Sequence, residues 1–156
     1  KDGRQFDCLK FRTMRAVPEG WFEAYLADHP AAHAEWNATR KLVDDPRVTR
    51  LGRLLRKTSI DELPQLLNVL RGEMSIVGPR PLTQEEYETC LRFPKLYGSV
   101  RPGLTGLWQV SGRSRVAFPE REDLEIKYIR TRNAWLDLSI IFLTPLAVLN
   151  IGSSAA

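Results

Sequence analysis

Two adjacent carboxylates, Asp61 and Glu62, stand in the stretch TSIDELPQ at residues 58–65. Residues 47–57, just before them, carry five cations and no acid. An Asp close to that much positive charge should stay ionised at neutral pH, because nearby cations favour the charged form. An ionised Asp is a competent nucleophile toward phosphorus, and Glu is a hard oxygen ligand of the kind that Mg²⁺ prefers. The pair is therefore a candidate site for phosphoryl chemistry.

The local sequence places both acids at the start of a helix. Ser59 and Glu62 have the spacing of a capping box, and Pro64 suits a first helical turn. The N-cap is predicted at one of three residues, Thr58, Ser59 or Asp61. Acids at such a position also stabilise the helix dipole, by about 0.3–1 kcal/mol each, without any catalytic role. The pair alone therefore leaves a purely structural explanation open.

The helix that follows has two faces of different chemistry. Four leucines recur at the i, i+3, i+4, i+7 spacing and are predicted to be buried: Leu63, Leu66, Leu67 and Leu70. Asp61, Gln65 and Asn68 fall together on the opposite face. Glu62 lies about 100° around the helix from Asp61. The two acids can therefore hold different roles.

Further cations could complete an anion-binding site. Arg80 lies between two prolines in Gly-Pro-Arg-Pro, which restrict the backbone and present the guanidinium from a stiff loop. Rigid packing of the loop explains the prolines equally well. Residues 6–14 alternate like a strand, with Lys10 and Arg12 on one face. Such a basic pair is more commonly a solvated strand face.

The composition is that of an ordinary globular domain. Of the 156 residues, 43% are hydrophobic and 27% are charged, and the net charge is +4. These values exclude a disordered chain and allow an anionic partner, whether phosphate, nucleotide, nucleic acid or lipid headgroup. Cys8 and Cys90, the two cysteines, have no zinc-type spacing and indicate no disulfide scaffold.

The surrounding elements are predicted from periodicity and from Gly and Pro positions. Residues 19–42 have helical spacing interrupted at Pro30, which predicts two helices or a kinked one. Residues 47–56 repeat arginine every third position, which predicts a basic amphipathic helix with a solvated face or a lipid-docking one. Residues 72–112 are rich in Gly and Pro, which is typical of loops with fixed conformations. The apolar stretch 138–149 is shorter than the ~20 residues that span a bilayer, so it is expected to lie on a membrane surface.

Three blocks together resemble a known family: KFRTM, DPRVTRLGRLLRKTSIDELPQLLNVLRGEMSIVGPRPL and RPGLTGLWQVSGR. They are similar to the successive signature blocks of the bacterial sugar transferases, the monotopic polyprenyl-phosphate hexose-1-phosphate transferases, also called phosphoglycosyl transferases. The resemblance covers residues 1–151. The insert at 21–42 and the block DDPRVTR look most similar to the undecaprenyl-phosphate galactose phosphotransferases.

The resemblance implies an enzyme that transfers a sugar 1-phosphate from a UDP-sugar to polyprenyl (undecaprenyl) phosphate and releases UMP. It implies the first membrane step of exopolysaccharide, capsule or O-antigen synthesis, on the cytoplasmic face of the bacterial inner membrane. Asp61 would carry a covalent phosphosugar, and Glu62 would hold Mg²⁺. Four cations match phosphate contacts of the family: Lys10, Arg12, Arg80 and Arg113. Further candidates are Trp108, which also suits a core, with Gln109 and Arg115.

The expected fold is mixed α/β and mostly helical, with a small sheet or hairpin near the start surrounded by amphipathic helices. The resemblance implies a single monotopic, membrane-associated catalytic domain over residues 1–156 that lacks the family's N-terminal re-entrant membrane helix. It also shows a departure, because relatives typically have Asp where this chain has Glu125, three residues before Tyr128. The oligomeric state stays open, with a homodimer as one option.

Two alternatives stay open at this point. The lipid phosphate could attack the UDP-sugar directly while Asp61 positions the metal. The chain could instead be a non-enzymatic basic module that binds anionic lipid or nucleic acid, with Asp61 and Glu62 as helix caps; its binding would depend steeply on salt and not on Asp61. No nucleic-acid fold signature is present, so nucleic acid is not expected as a partner.

Overall fold

A computed structural model of the chain describes residues 4–39, 42–89, 92–112 and 118–150. Over these described residues the fold is mostly helical with one small sheet, which confirms the predicted class. In chain order, the helices before the first strand are α1 Trp21–Asp28, α2 Pro30–Thr39, α3 Arg50–Thr58, a 3-10 helix at Ile60–Glu62, and α4 Gln65–Leu70. They are followed by β1 Ser75–Val77, α5 Gln84–Thr89, α6 Pro94–Tyr97, β2 Gly103–Thr105, α7 Leu107–Val110, α8 Phe118–Thr131 and α9 Ala134–Asn150.

The chain divides into two compact units, one of residues Arg12–Arg56 and one that combines Lys1–Phe11 with Lys57–Ala156. In the first unit, α1 and α2 meet at Pro30, as the sequence predicted. The ring of Phe22 packs edge-on against Trp36, with centroids 4.9 Å apart. Arg47 lies over the Phe22 ring and forms a two-point ion pair with the buried Asp45, at 2.7 and 2.9 Å. These contacts tie both helices to the chain that leads into α3.

The basic helix α3 is confirmed, and its packing is set by Gly52. A Cβ at Gly52 would lie 2.0 Å from the carbonyl oxygen of Thr13, so only glycine allows this contact. Arg56 donates to the hydroxyl of Thr13 at 2.8 Å, on the same side. The exposed side chains on the remaining surface of α3 include Arg50, Arg53, Leu51 and Leu54. This exposed surface is both cationic and apolar.

The sheet of the larger unit is parallel, with Ser75 opposite Gly103 and Val77 opposite Thr105. A Cβ on Gly103 would lie 2.1 Å from the backbone nitrogen of Gly78, so glycine is what permits the strands to approach here. Val77 belongs to the core, together with Val100, Tyr128, Ile129 and Ile140. The core therefore joins the sheet to α8 and α9.

The strand predicted at residues 6–14 is wrong. Its only strand-type pairing is an isolated antiparallel bridge between Met14 and Val48. The sheet forms instead within the Gly- and Pro-rich region, from two strands of three residues each. Alternation at 6–14 still marks extended chain, but that chain finds its partners in side chains and isolated backbone groups instead of a neighbouring strand.

The prediction that the leucines of α4 are buried is also wrong, because the polar side chains of the helix point toward the protein interior instead. Gln65 is 2% exposed and Asn68 is fully buried, so the polar face points inward. The leucine face, defined here as Leu63, Leu66, Leu67 and Leu70, is 50, 41, 49 and 83% exposed. The polar side chains face inward because Asn68 has hydrogen-bond partners there. The leucines therefore lie on the outer surface of the protein.

Helix α9 covers the apolar stretch predicted at 138–149 and has 17 residues. Across the residues that the structure describes, no helix combines the length and the apolar character needed to cross a bilayer. Several of its large side chains are exposed, with Trp135 at 81% and Phe142 at 76%. Like the leucine face, this helix presents apolar surface outward.

Candidate active site

The two acids lie on the 3-10 helix Ile60–Glu62, directly after a sharp turn. Ser59 adopts a left-handed conformation with φ 56° and its side chain makes no capping hydrogen bond, so the capping box is wrong. Glu62 instead binds Lys10, with Oε1 and Nζ 2.6 Å apart. Asp61 is 8% exposed, and its carbonyl accepts the Phe11 N–H at 3.0 Å. The structure thus brings Lys10 to the adjacent pair Asp61 and Glu62, although Lys10 and Glu62 are 52 positions apart along the chain.

Asn68 holds the segment that carries Lys10 against α4. Its Oδ1 accepts the Leu9 N–H at 3.1 Å, and its Nδ2 donates to the Asp7 carbonyl at 2.9 Å. The same Nδ2 donates to a carboxylate oxygen of Glu73 at 2.6 Å. The amide therefore takes the place of a neighbouring strand. Sequence reasoning placed Asn68 on the Asp61 face but missed this role, for which a polar residue seven positions after Asp61 was the signal.

Replacement of Asn68 by Ala is expected to lower the free energy of unfolding by about 2 kcal/mol, because it leaves buried groups of the 7–9 segment without partners. Chemical denaturation at pH 7 measures the change. Asn37→Ala, on an exposed surface of α2, is the matched control and should change stability by less than about 0.5 kcal/mol. Equal stability of the two variants would contradict the role of Asn68 in holding the 7–9 segment against α4.

The charges of Arg80, Lys10 and Glu62 all affect the pKa of the Cys8 thiol, so the three groups lie close enough to act on the same site. Although Cys8 is at the surface, the protein atoms around its thiol displace water and raise its pKa. The positive charges of Lys10 and Arg80 oppose that rise in pKa, and the negative charge of Glu62 reinforces it. All three charged groups therefore act on one point near the carboxylate pair.

The other predicted site residues are placed less directly. Arg12 is exposed and begins the unit Arg12–Arg56, and its role stays a prediction. Arg113 and Arg115 lie outside the described residues. Trp108 is 5% exposed and the guanidinium of Arg121 lies 4.6 Å from its ring centroid, which favours a core position over a nucleotide platform. Gln109 is half-buried beside it.

The carboxylate pair has the donor chemistry that Mg²⁺ requires, although it provides few ligands. Among residues 4–39, 42–89, 92–112 and 118–150, no group of three or more His, Cys, Asp or Glu side chains could hold a metal ion. Mg²⁺ commonly takes one or two carboxylates and completes its shell with substrate phosphates and water. Asp61 and Glu62 fit that pattern, and Lys10 would compete with a metal for the Glu62 oxygen.

The family of bacterial sugar transferases matches this chain over residues 1–151. The chain belongs to that family. As a bacterial sugar transferase it is an enzyme, so the resemblance stated from the sequence is confirmed and the non-enzymatic module is set aside.

Relatives of this sugar transferase share its sequence over almost the whole chain. It is 49% identical to the exopolysaccharide production protein ExoY of Sinorhizobium fredii, over 97% of this chain and 68% of that protein. It is 48% identical to the UDP-galactose-lipid carrier transferase of Erwinia amylovora, over 92% of this chain and 30% of the relative. It is 45% identical to the undecaprenyl-phosphate galactose phosphotransferase of Salmonella typhimurium, over 96% and 31%. The chain thus spans about a third of the last two relatives.

Proposed function

We propose that this chain transfers a sugar 1-phosphate from a UDP-sugar to a polyprenyl phosphate such as undecaprenyl phosphate and releases UMP. The reaction would start exopolysaccharide, capsule or O-antigen synthesis at the cytoplasmic face of the bacterial inner membrane. The observation that carries the proposal is the nearly buried Asp61 beside a Glu62 that binds Lys10 at 2.6 Å, in a chain of the sugar transferase family. The names of its relatives favour a galactose donor and an undecaprenyl acceptor.

The proposed reaction has two displacements at one phosphorus. A carboxylate oxygen of Asp61 attacks the phosphorus that carries the sugar, and the bond from that phosphorus to the bridging oxygen breaks. UMP leaves with the bonding electrons, and the sugar phosphate stays on Asp61. A phosphate oxygen of the polyprenyl acceptor then attacks the same phosphorus and displaces the carboxylate. The product is a polyprenyl diphosphate sugar, and no other reactant is consumed.

Repulsion between the attacking anion and the diphosphate is the main obstacle to this chemistry. Lys10 and Arg80 would lower it, because fixed cations on the phosphoryl oxygens stabilise the charge that builds up during transfer. The planar guanidinium of Arg80 can bind two phosphate oxygens at once. When bound, Mg²⁺ would supply further charge neutralisation, with Glu62 as its protein ligand. Arg12 and Arg113 are proposed as additional phosphate contacts.

Direct attack by the lipid phosphate is the second candidate mechanism. It requires both substrates to lie in the site together, whereas the covalent route uses the site for each in turn. The near-complete burial of Asp61 favours the covalent route, because burial excludes water that would otherwise hydrolyse the phosphosugar.

The acceptor is a lipid, and we propose that two apolar surfaces of the larger unit face the membrane that holds it. They are the leucine face of α4 and the exposed side of α9. Exposed apolar surfaces of this kind are costly in water and mark contact with a partner or a membrane. The leucine face starts two residues after Asp61. A lipid whose phosphate reaches Asp61 would therefore bring its hydrocarbon close to these leucines.

A UMP-release assay with a panel of UDP-sugars, polyprenyl phosphate and Mg²⁺ tests the proposal. The protein is expected to release UMP only when a matching UDP-sugar is present, fastest with UDP-galactose. Omission of polyprenyl phosphate should limit release to about one UMP per enzyme, because the phosphosugar then stays on the protein. No UMP from any UDP-sugar would end the proposal.

A further inference from the structure

Helix α8 carries three charged side chains that are buried in the fold. Glu122 and Glu125 are each 3% exposed, and Arg121 is 9% exposed. Glu122 has a local structural role, because it accepts the backbone N–H groups of Arg92 and Phe93 at 2.7 and 3.2 Å and so supports the start of α6. Glu125 has no such helix end to support. Its partner lies in the Gly-Pro-Arg-Pro loop.

The backbone of this loop is held at three points. Gly78 donates its N–H to the Thr105 carbonyl at 2.9 Å, and the Pro79 carbonyl accepts the Gly103 N–H at 2.7 Å. Both of these hydrogen bonds continue the pairing of β1 with β2. The third is different, because the Arg80 N–H donates to the Glu125 carboxylate at 3.0 Å. The backbone of Arg80 is therefore fixed by a side chain from α8.

The carboxylate of Glu125 also organises the cations around it. Arg121 Nε lies 3.6 Å from Glu125 Oε1, and the Arg121 guanidinium packs on Trp108. The guanidinium of Arg80 lies 6.0 Å from the same Trp108 ring centroid. Burial raises the pKa of Glu125, and the positive charges of Arg121 and Arg80 oppose this rise. A well-packed apolar side chain would avoid the cost of burying this charge, so its presence indicates a function.

We propose that Glu125 is a positioning residue: it fixes the backbone of Arg80 so that the guanidinium is presented to the diphosphate of the nucleotide substrate. This inference rests on the proposed function, since it takes a UDP-sugar as the ligand of Arg80. The Glu125 side chain reaches from α8 to the loop, where its carboxylate accepts the Arg80 N–H.

A double-mutant cycle on UDP binding tests the inference separately from catalysis. Calorimetry of UDP binding with Mg²⁺ is measured for the parent, Arg80→Ala, Glu125→Leu and the double variant. Arg80→Ala is expected to weaken binding about tenfold, as for loss of a charge-assisted hydrogen bond. Glu125→Leu is expected to weaken it about fivefold in the parent and less than about twofold in the Arg80→Ala background. Independent, multiplicative losses would overturn the proposal, and so would an Arg80→Ala variant that binds UDP normally.

Glu125→Gln separates the hydrogen bond from the charge. Gln keeps an acceptor oxygen at the same reach, so UDP binding should stay within about threefold of the parent. Glu125→Asp, which withdraws the carboxylate by one methylene, should behave like Glu125→Leu and keeps the test informative if the Leu variant fails to fold. A Gln variant as weak as the Leu variant would overturn the proposed role of the Arg80 N–H.

Hydrogen exchange gives a second readout that needs no ligand. Because both of its neighbours are prolines, Arg80 carries the only backbone N–H of residues 79–81. Its exchange should be slow in the parent and in Glu125→Gln, and about tenfold faster in Glu125→Leu. Unchanged exchange in the Leu variant would overturn the proposal. A parent that binds UDP with the expected coupling but releases no UMP would instead contradict only the proposed function.

Stability provides the control for these variants. Since the pKa of Glu125 is raised in the folded protein, the folded state binds its proton more tightly than the unfolded state does. The stability contributed by this group therefore falls as pH rises from the ordinary carboxyl range through the raised pKa. Glu125→Gln removes that loss, so it should unfold at pH 7 no more easily than the parent. A weakened Gln variant that is also unstable would count against a positioning role.

Discussion

Asp61→Asn is expected to lower the steady-state rate of UMP release by at least about 10³-fold, because an amide oxygen is neither charged nor a useful nucleophile toward phosphorus. The substitution keeps the size of the side chain, so the fold and the hydrogen bond from Phe11 to the Asp61 carbonyl should survive. Binding of UDP should change much less than the rate. The separation of rate from binding identifies a group that acts on the reacting atoms.

Intact-protein mass spectrometry tests for the covalent intermediate on Asp61 directly. The parent, incubated with UDP-sugar and Mg²⁺ but no polyprenyl phosphate, should gain the mass of one sugar phosphate, and Asp61→Asn should gain none. Asp28→Asn, the same chemical change at the exposed end of α1, is the matched control and should keep both rate and adduct. An Asn variant with the parent rate would refute the nucleophile. A slow variant together with a parent that forms no adduct and shows sequential kinetics would favour direct attack.

The sequence was sufficient for two helix boundaries because each has a local signal. Pro30 separates α1 from α2, and Pro64 directly precedes α4. It was not sufficient for the orientation of α4. A leucine stripe opposite a polar stripe defines two faces, but the pattern is the same whether the leucines meet a protein core or a lipid. Only the long-range hydrogen bonds of Asn68 decide that the polar face is the inner one.

The same limit explains why the strand predicted at 6–14 does not form. Alternation indicates extended chain, but a ladder also needs a neighbouring strand, and the partner here is the side chain of Asn68, 59 residues away from Leu9. The sheet that does form depends on close approach at Gly78 and Gly103, which a propensity for strand residues does not reveal. Local sequence therefore predicted backbone conformation better than it predicted pairing.

The residues of the candidate site likewise fall into those that the sequence predicted and those that it did not. Asp61 and Glu62 could be singled out from their residue types and charged neighbours. The family resemblance made Lys10 a candidate phosphate contact but did not indicate its pairing with Glu62, which lies 52 positions away along the chain. The family resemblance predicted Asp at position 125, and the sequence assigned no role to the Glu125 that stands there. Its contact with the Arg80 backbone depends on how α8 packs beside the loop, which no local pattern specifies.

The double substitution Leu67→Ser and Leu70→Ser is expected to weaken binding to lipid vesicles by about 100-fold. The two leucines are 49 and 83% exposed, so much of their apolar surface is available to a bilayer. A fully transferred Leu contributes about 1.5–3 kcal/mol, and two partial transfers together about 3 kcal/mol, which corresponds to about two factors of ten. Co-sedimentation with phosphatidylethanolamine vesicles that contain phosphatidylglycerol measures the change. UMP release from polyprenyl phosphate in the same vesicles should fall with it.

The matched control replaces exposed apolar residues outside the leucine face, with Val43→Ser and Phe93→Ser. These side chains are 90 and 46% exposed, so they lose a comparable amount of apolar surface and should leave vesicle binding within about threefold of the parent. Because the leucines face outward, their replacement should not lower the melting temperature, whereas replacement of a core leucine would. Unchanged vesicle binding would remove the membrane role of α4. If sedimentation velocity then showed that the parent is a dimer and the double variant a monomer, a second copy of the chain would be the partner of the leucine face.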